Sequence, residues 1–176
     1  MRLLPTPLDG AYLVEAHTVE DVRGYFARLW SADDLRDRKL DTALAQASLS
    51  HNAVAGTLRG MHYQRTPFGE CKLIRCVRGA VYDVIVDLRA DRSSFRTWYA
   101  VELSADNGRM LYVPEGIAHG YITLVDDSDM LYFLSAPYRA DHAAGVRWND
   151  PGFGIAWPRS PRVISERDAA FPDYAP

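Results

Sequence analysis

The stretch GRMLYVPEGIAHGYIT, residues 108–123, places Gly108, Pro114, Gly116 and His119 at the spacing G-x5-P-x-G-x2-H. It follows a turn signal at 106–108 and contains short runs of β-branched and aromatic residues. Such runs, bounded by turn residues, are typical of β-strands. The same alternation of short strands and turns extends along most of the chain.

Working outward from this stretch, residues 73–90 contain two strand-like runs joined at Arg78-Gly79. We expect a hairpin there and a second one at 106–108. The continuous apolar run at 81–86 predicts a central strand, and 128–138 predicts another inner strand that ends at Pro137. Helix signals are few: Ser31 begins a predicted helix over 33–40, and Ser165 begins a second short one. This pattern predicts an all-β sandwich or barrel with a few short helices.

Composition limits the class of protein. The 176 residues suit a single domain over 1–176, and 48% hydrophobic residues indicate a folded globule. A net charge of −3 gives no electrostatic case for nucleic acid or a membrane surface. Cys71 and Cys76, on opposite faces of one predicted strand, argue against a disulfide and fit a reducing cytoplasm. No apolar run is long enough to span a bilayer, and the N-terminus does not read as a signal peptide.

A second motif begins at Gly56 in GTLRGMHYQ, residues 56–64, where five residues separate Gly56 from His62. Both spacings resemble the two motifs of the cupin fold, a jelly-roll barrel. In cupins the first motif continues H-x-H and ends E-x6-G, and these side chains bind a metal. Here Gln64 and Lys72 occupy the second-histidine and glutamate positions. Since a protonated lysine repels a divalent cation, we predict neither metal nor other cofactor.

The substituted positions suggest acid–base chemistry. Lys72 supplies a positive charge that can stabilise negative charge on a substrate oxygen. His62 is suited to remove a proton from a carbon next to a carbonyl, with Lys72 holding the enolate. Inversion of that carbon needs an acid on its other face. Tyr132, which shares a strand face with Met130 and Leu134, is the candidate.

Several segments together resemble the dTDP-4-dehydrorhamnose 3,5-epimerase family (RmlC). The resemblance runs from DVRGYF (21–26) to SERDAAFP (165–172), through 56–64, 71–89, 113–121 and 145–158. It implies a metal-independent cupin that forms a homodimer. It also implies a substrate in which a 4-keto-6-deoxy sugar is attached to a nucleoside diphosphate, in a deoxysugar pathway.

The resemblance also assigns roles to individual residues. His62 corresponds to the base, Tyr132 to the acid and Asp168 to the partner of the histidine, while Lys72 and His119 contact the sugar near its keto group. The substrate-binding set consists of Arg23 and Arg59 for the pyrophosphate, Tyr138 for stacking on the nucleobase, Arg167 and Gln46. Guanidinium groups suit phosphate because they donate two parallel hydrogen bonds.

Arg59 and His62 raise a geometric question. Their odd separation would point them to opposite faces of an ideal strand. Gly60 lies between them, and glycine often marks a bulge. We therefore predict a bulge that brings both side chains to one face.

Three departures from the family pattern leave alternatives open. Arg28 replaces an acidic residue, residues 46–48 replace Q-x-N, and Ala143 replaces a glutamate. These positions tend to face the nucleoside or diphosphate, so CDP and GDP remain alternatives to dTDP. A mono-epimerase inverting C3 or C5 alone also remains open, as do a sugar-nucleotide-binding cupin without turnover and a metal-dependent oxygenase.

Overall fold

The computed structural model describes residues 1–175, most of whose elements are strands in two facing β-sheets. Within these residues the strands are β1 (Arg2–Pro5), β2 (Tyr12–Glu15), β3 (Thr18–Asp21), β4 (Gly24–Ala27), β5 (Gln46–Asn52), β6 (Thr57–Gln64), β7 (Lys72–Arg78), β8 (Ala80–Asp87), β9 (Trp98–Ser104), β10 (Arg109–Val113), β11 (Ile117–Thr123), β12 (Ser128–Leu134), β13 (Ala143–Gly145) and β14 (Val163–Ile164). The helices are α1 (Ala32–Arg36) and α2 (Glu166–Ala169).

The two sheets form a jelly roll. The first sheet has the order β1-β2-β10-β7-β12-β5, and its neighbouring strands are antiparallel. The second has the order β13-β6-β11-β8-β9, and β14 pairs in parallel with β6. Because strands that follow one another in the chain often lie in opposite sheets, the chain crosses the core repeatedly. The all-β fold with short helices, predicted from the sequence, is confirmed.

Both predicted hairpins are wrong, because they are corners between the sheets. β7 and β8 flank Gly79 but belong to different sheets, and so do β9 and β10 around 105–108. Gly79 has a φ of +72°, and a Cβ there would lie 2.4 Å from Oγ of Ser128. A turn signal does not say whether the next strand pairs with the previous one. At each of these corners, the strand before the turn and the strand after it bury an apolar face in the same core from opposite sheets. The chain therefore crosses the core at the turn.

The core lies between the sheets, and the two predicted inner strands are indeed interior. β8 lies between β11 and β9, and β12 lies between β7 and β5. Apolar side chains from both sheets meet there, including Ile74, Val81, Ile85, Leu111, Ile117 and Met130. Further apolar clusters cover the outer face of each sheet.

Both helices begin where their capping residues predict. Oγ of Ser31 accepts a hydrogen bond from the backbone N–H of Asp34 at 3.3 Å, and α1 ends at Arg36, earlier than predicted. Oγ of Ser165 accepts from the backbone N–H of Asp168 at 3.1 Å. Each hydroxyl satisfies a donor that the first helical turn would leave free.

A two-stranded hairpin, β3–β4, stands apart from both sheets and exposes apolar surface. Its strands and turn carry the exposed side chains of Val19, Val22, Tyr25 and Phe26. Of the helices in residues 1–175, none is both long and apolar enough to cross a membrane.

Candidate active site

A cavity of about 530 Å³ opens between the sheets beside β5 and β6. Residues from both sheets line it, so its walls come from segments far apart in the chain. Eight of the ten predicted site residues line this cavity: Gln46, Arg59, His62, Lys72, His119, Tyr132, Tyr138 and Arg167.

A bulge in β6 brings Arg59 and His62 to the same cavity. His62 pairs with His119 on β11, and Arg59 pairs with Tyr121. Three residue steps on β6 therefore match two on β11, which confirms the predicted bulge. Gly60 has a φ of +135°, and a Cβ on it would lie 2.5 Å from Cα of Gly120. Only glycine permits this close approach of the two strands.

His62 is oriented by Asp168, which comes from α2. Nε2 of His62 lies 2.8 Å from Oδ1 of Asp168, and the backbone N–H of Gly60 donates to Oδ2 at 3.1 Å. Burial raises the pKa of Asp168, but the hydrogen bonds from His62 and Gly60 outweigh it, so this pKa lies below its usual value. Because an ionised carboxylate only accepts hydrogen bonds, the proton belongs on Nε2 and Nδ1 is the basic nitrogen.

His119 and Asp83 form a second histidine–aspartate pair, and Asp83 was not among the predicted site residues. Nε2 of His119 lies 2.9 Å from Oδ2 of Asp83, and both side chains are buried. Burial raises the pKa of Asp83, and Oδ1 of this residue finds no hydrogen-bond partner among residues 1–175. The position of this carboxylate in the middle of the apolar run 81–86 is a sequence signal that could have identified it as a site residue.

Lys72 points into the cavity from the first strand position of β7. Its Nζ donates to the backbone oxygen of His62 at 3.1 Å and lies 3.3 Å from Oε1 of Glu70. Burial lowers the pKa of Lys72, and the neighbouring Glu70 carboxylate opposes that effect. Glu70 was also missed, although it stands two residues before Lys72 and lines the same cavity.

Tyr132 lies on the wall opposite His62. It belongs to β12 in the first sheet, whereas His62 belongs to β6 in the second. Its ring meets that of His119 edge to face, with centroids 6.0 Å apart. Burial raises the pKa of Tyr132 well above its ordinary value, so the phenol keeps its proton at neutral pH and can donate it.

Two arginines, Arg59 and Arg167, add positive charge to the lining of the cavity. Nε of Arg59 donates to Oδ1 of Asn52 at 2.8 Å, which fixes the position of the guanidinium. The guanidinium of Arg167 lies 5.8 Å from the ring centre of Phe171. Since each guanidinium has donors left over, this arrangement suits an anionic ligand.

Two glutamines hold the segment that carries Tyr138. Oε1 of Gln46 accepts from the backbone N–H of Tyr138 at 3.2 Å, and Oε1 of Gln64 accepts from that of Arg139 at 2.6 Å. The Tyr138 side chain remains 54% exposed at the cavity, so one face of its ring is available for stacking.

Arg23 lies outside this cavity. It is in the turn of the β3–β4 hairpin, where its side chain is 85% exposed and its guanidinium contacts Asp21. Within the single chain, the two arginines predicted to bind pyrophosphate are therefore not neighbours.

The residues at the cupin ligand positions do not fit a divalent cation. The amide nitrogen of Gln64 donates to the backbone oxygens of Phe68 and Pro137 and to the Glu70 carboxylate, and its oxygen accepts from the backbone N–H of Arg139. The ammonium of Lys72 contacts the same Glu70 carboxylate. Within residues 1–175, no three side chains of the histidine, cysteine, aspartate and glutamate types are arranged to hold a metal ion. A divalent metal ion at these positions would require imidazole, carboxylate or thiolate ligands.

Comparison with known proteins gives a consistent result. A protein of Sinorhizobium fredii named dTDP-4-dehydrorhamnose 3,5-epimerase is 42% identical over 161 residues, which cover 91% of this chain and 83% of that protein. A crystal structure of the dTDP-4-dehydrorhamnose 3,5-epimerase of Bacillus anthracis, with TDP and PPi bound, superposes with a TM-score of 0.94. It is 40% identical and covers 98% of this chain and 99% of its own.

A third relative has a narrower named activity. ChmJ, a 3'-monoepimerase from Streptomyces bikiniensis solved with dTDP-quinovose, superposes with a TM-score of 0.88. It is 32% identical, with 96% of this chain and 86% of that chain covered. These likenesses confirm the cupin-type fold that the motif spacing predicted. Residues 5–175 match the family described as dTDP-4-dehydrorhamnose 3,5-epimerase. The chain belongs to this family of isomerases.

Proposed function

We propose that this chain epimerises the sugar of a nucleoside-diphosphate-linked 4-keto-6-deoxy sugar at C3 and C5. The substrate we propose is dTDP-4-dehydro-6-deoxy-D-glucose, and the product is dTDP-4-dehydro-L-rhamnose. The observation that carries the proposal is the placement of His62 and Tyr132 on opposite walls of one cavity, with Lys72 between the sheets.

The reaction follows from this geometry. Nδ1 of His62 removes the proton from a carbon next to the C4 carbonyl, and the electrons move onto the carbonyl oxygen. The ammonium of Lys72 and the imidazole of His119 stabilise that enolate. Tyr132 then donates a proton to the opposite face, so the carbon is inverted. Because C3 and C5 both flank C4, the same oxygen site serves either carbon.

The rest of the substrate is held by the mouth of the cavity. Arg59 and Arg167 offer guanidinium groups to the diphosphate, and Tyr138 offers an aromatic face to the base. TDP and PPi in the Bacillus anthracis relative support a thymidine carrier. CDP and GDP are the carriers to test against it.

We propose that the active form is a homodimer in which the β3–β4 hairpin serves the partner's site. Four large apolar side chains on this hairpin are exposed in the single chain, and burial in an interface would remove them from water. Arg23 in the same hairpin does not line its own cavity. Sedimentation should give a dimer mass.

Mixing two inactive variants tests the contribution of Arg23. At low substrate, Arg23→Ala and His62→Ala homodimers are each impaired. In a mixed dimer, the subunit with intact His62 receives Arg23 from the other chain, so remixing should restore activity in one of two sites. Absence of recovery after verified subunit exchange would place Arg23 in its own chain's site, or in none.

A second candidate, a mono-epimerase, is favoured by the likeness to ChmJ. The experiment that tests both is NMR of the dTDP-linked keto sugar with enzyme in D2O. Deuterium at C3 and C5 supports the double epimerase, and deuterium at one carbon supports the mono-epimerase. No exchange with the dTDP, CDP or GDP sugars would contradict the proposed function.

We further propose that one domain spanning 1–176 carries this activity and works in the cytoplasm. Two free cysteines, Cys71 and Cys76, support a reducing compartment. Fractionation of the native cells, followed by detection of the protein, tests this location.

A further inference from the structure

Glu70 is a nearly buried carboxylate that the reaction proposed above does not use. Its side chain is 10% exposed, and that of Lys72 is 8% exposed. Oε1 of Glu70 lies 3.3 Å from Nζ of Lys72, and Oε2 accepts from Nε2 of Gln64 at 3.2 Å. Each carboxylate oxygen therefore has one partner, which holds the side chain against the cavity wall.

The ammonium of Lys72 depends on its few close partners. In the part of the chain that the structure describes, its polar contacts are Glu70 and the backbone oxygen of His62. An ammonium taken out of water loses solvation, and a nearby opposite charge compensates that loss. Of these partners Glu70 alone carries a charge, so it supplies that compensation.

Other titratable groups also face Lys72, but none replaces Glu70. Asp83 on β8 acts on it through space, and its carboxylate is directed at His119. Cys71 also acts on it through space, and the other titratable or charged residues that line the cavity are Arg59, His62, Tyr63, His119, Tyr121, Tyr132, Tyr138 and Arg167.

We propose that Glu70 is a positioning residue for the epimerisation: its carboxylate keeps the Lys72 side chain charged and aimed at the enolate oxygen. The inference rests on the proposed function. Through Gln64, the same carboxylate is linked to the segment that carries Tyr138, because Oε1 of Gln64 accepts from the N–H of Arg139. The nucleobase side and the sugar side of the cavity thus share one chain of hydrogen bonds.

Removing the charge of Glu70 should lower the pKa of Lys72. Burial lowers the pKa of Lys72 and Glu70 raises it, so removing the carboxylate charge lowers this pKa further. A neutral amine stabilises the enolate poorly. Activity of a Glu70→Gln variant should therefore fall off at a lower pH than that of the natural protein. Glutamine keeps an oxygen that can accept from Lys72, and its amide nitrogen takes the place of the oxygen that accepts from Gln64, so the variant removes the charge and that one hydrogen bond.

The chain offers an unusually clean readout because Lys39 and Lys72 are its only lysines. Protein labelled with 13Cε-lysine gives two lysine signals, assigned by Lys39→Arg, which alters an exposed position. We expect Lys72 of the natural protein to remain charged across the pH range of activity. In Glu70→Gln its titration midpoint should move to lower pH, while Lys39 stays fixed. Glu102→Gln, which removes an exposed carboxylate on β9, is the matched control.

Three outcomes would overturn the proposal. The first is a Lys72 that is already neutral at pH 7 in the natural protein, which can be seen even if the variant does not fold. The second is an unchanged midpoint in folded Glu70→Gln. The third is a midpoint that moves without the alkaline limb of kcat moving with it. Because the lysine titration needs no substrate, failure of this inference is distinct from failure of the proposed function.

Discussion

The cavity contains two histidine–aspartate pairs of similar geometry in different surroundings. His62 and Asp168 are 2.8 Å apart, and the histidine side chain is 41% exposed. His119 and Asp83 are 2.9 Å apart, with side-chain exposures of 5% and 0%. Hydrogen bonding lowers the pKa of Asp168, whereas burial raises that of Asp83.

From this difference we infer different roles for the two pairs, set by their access to water. A general base must exchange its proton with solvent after each turnover. The exposure of His62 permits this exchange. The buried pair is cut off from bulk solvent; with a proton on each ring nitrogen, His119 can contact Asp83 through Nε2 and donate from Nδ1 to the substrate oxygen. The predictions below test this division, from the largest expected effect to the smallest.

Replacing the exposed histidine should have the largest effect. His62→Ala should lower kcat on the order of 10³- to 10⁴-fold, since it removes the general base. Nucleotide binding, measured by calorimetry with dTDP, should remain close to that of the natural protein. If His119→Ala is the more damaging change, the roles of the two pairs are reversed.

The two aspartates should differ in activity and in stability. Asp168→Asn should lower kcat about 10²- to 10³-fold, because the carboxylate fixes the tautomer of His62. Asp83→Asn should lower kcat about tenfold, because it alters a hydrogen bond to His119 and leaves the contact between His62 and Asp168 unchanged.

Thermal melts give the stability half of this test. The folded-state pKa of Asp168 is depressed, so its contribution to stability is present above 3.8 and is lost as pH falls through the folded value. Asp168→Asn should therefore destabilise at pH 7 and much less near pH 2. The pKa of Asp83 is raised, so its ionised form opposes folding at neutral pH. Equal destabilisation by Asp83→Asn at pH 7 would contradict this contrast.

Tyr132 tests the buried side of the cavity. Tyr132→Phe should reduce inversion about 10²-fold while keeping more of the hydrogen–deuterium exchange at the reacting carbon, because removal and delivery use different groups. Exchange and product formation are followed together by NMR in D2O. Equal losses in both would mean that removal and delivery are not divided between the two walls.

Arg59 provides a change that leaves both pairs intact. Arg59→Ala should raise KM about tenfold to a hundredfold with little change in kcat, since a diphosphate contact serves ground and transition states alike. Steady-state kinetics at saturating substrate separate the two constants. A fall confined to kcat would show that this arginine places the sugar against His62.

Local signals in the sequence predicted much of the fold. Ser31 and Ser165 marked both helix starts, and the odd spacing around Gly60 predicted the bulge. The turns at Gly79 and 106–108 were located, but the strands they join were assigned to one sheet. A turn is decided by a few residues, whereas the partner of a strand is decided by the whole core.

The site was predicted less evenly. His62 and Asp168 are 106 positions apart, and only the family resemblance paired them. Asp83 and Glu70 were missed because a buried carboxylate reads as an ordinary strand or loop residue until its cationic partner is known. Arg23 was assigned to the site, but it lies on the exposed hairpin and does not line the cavity of its own chain.

The contact between Gly60 and Gly120 also bears on protein engineering. A Cβ at position 120 would meet Sδ of Met61 at 2.6 Å and the backbone oxygen of Arg59 at 2.8 Å. Any side chain at either glycine therefore widens the gap between the strands that hold the two histidines. A library aimed at new nucleotide carriers should keep both positions constant and vary the exposed rim around Tyr138.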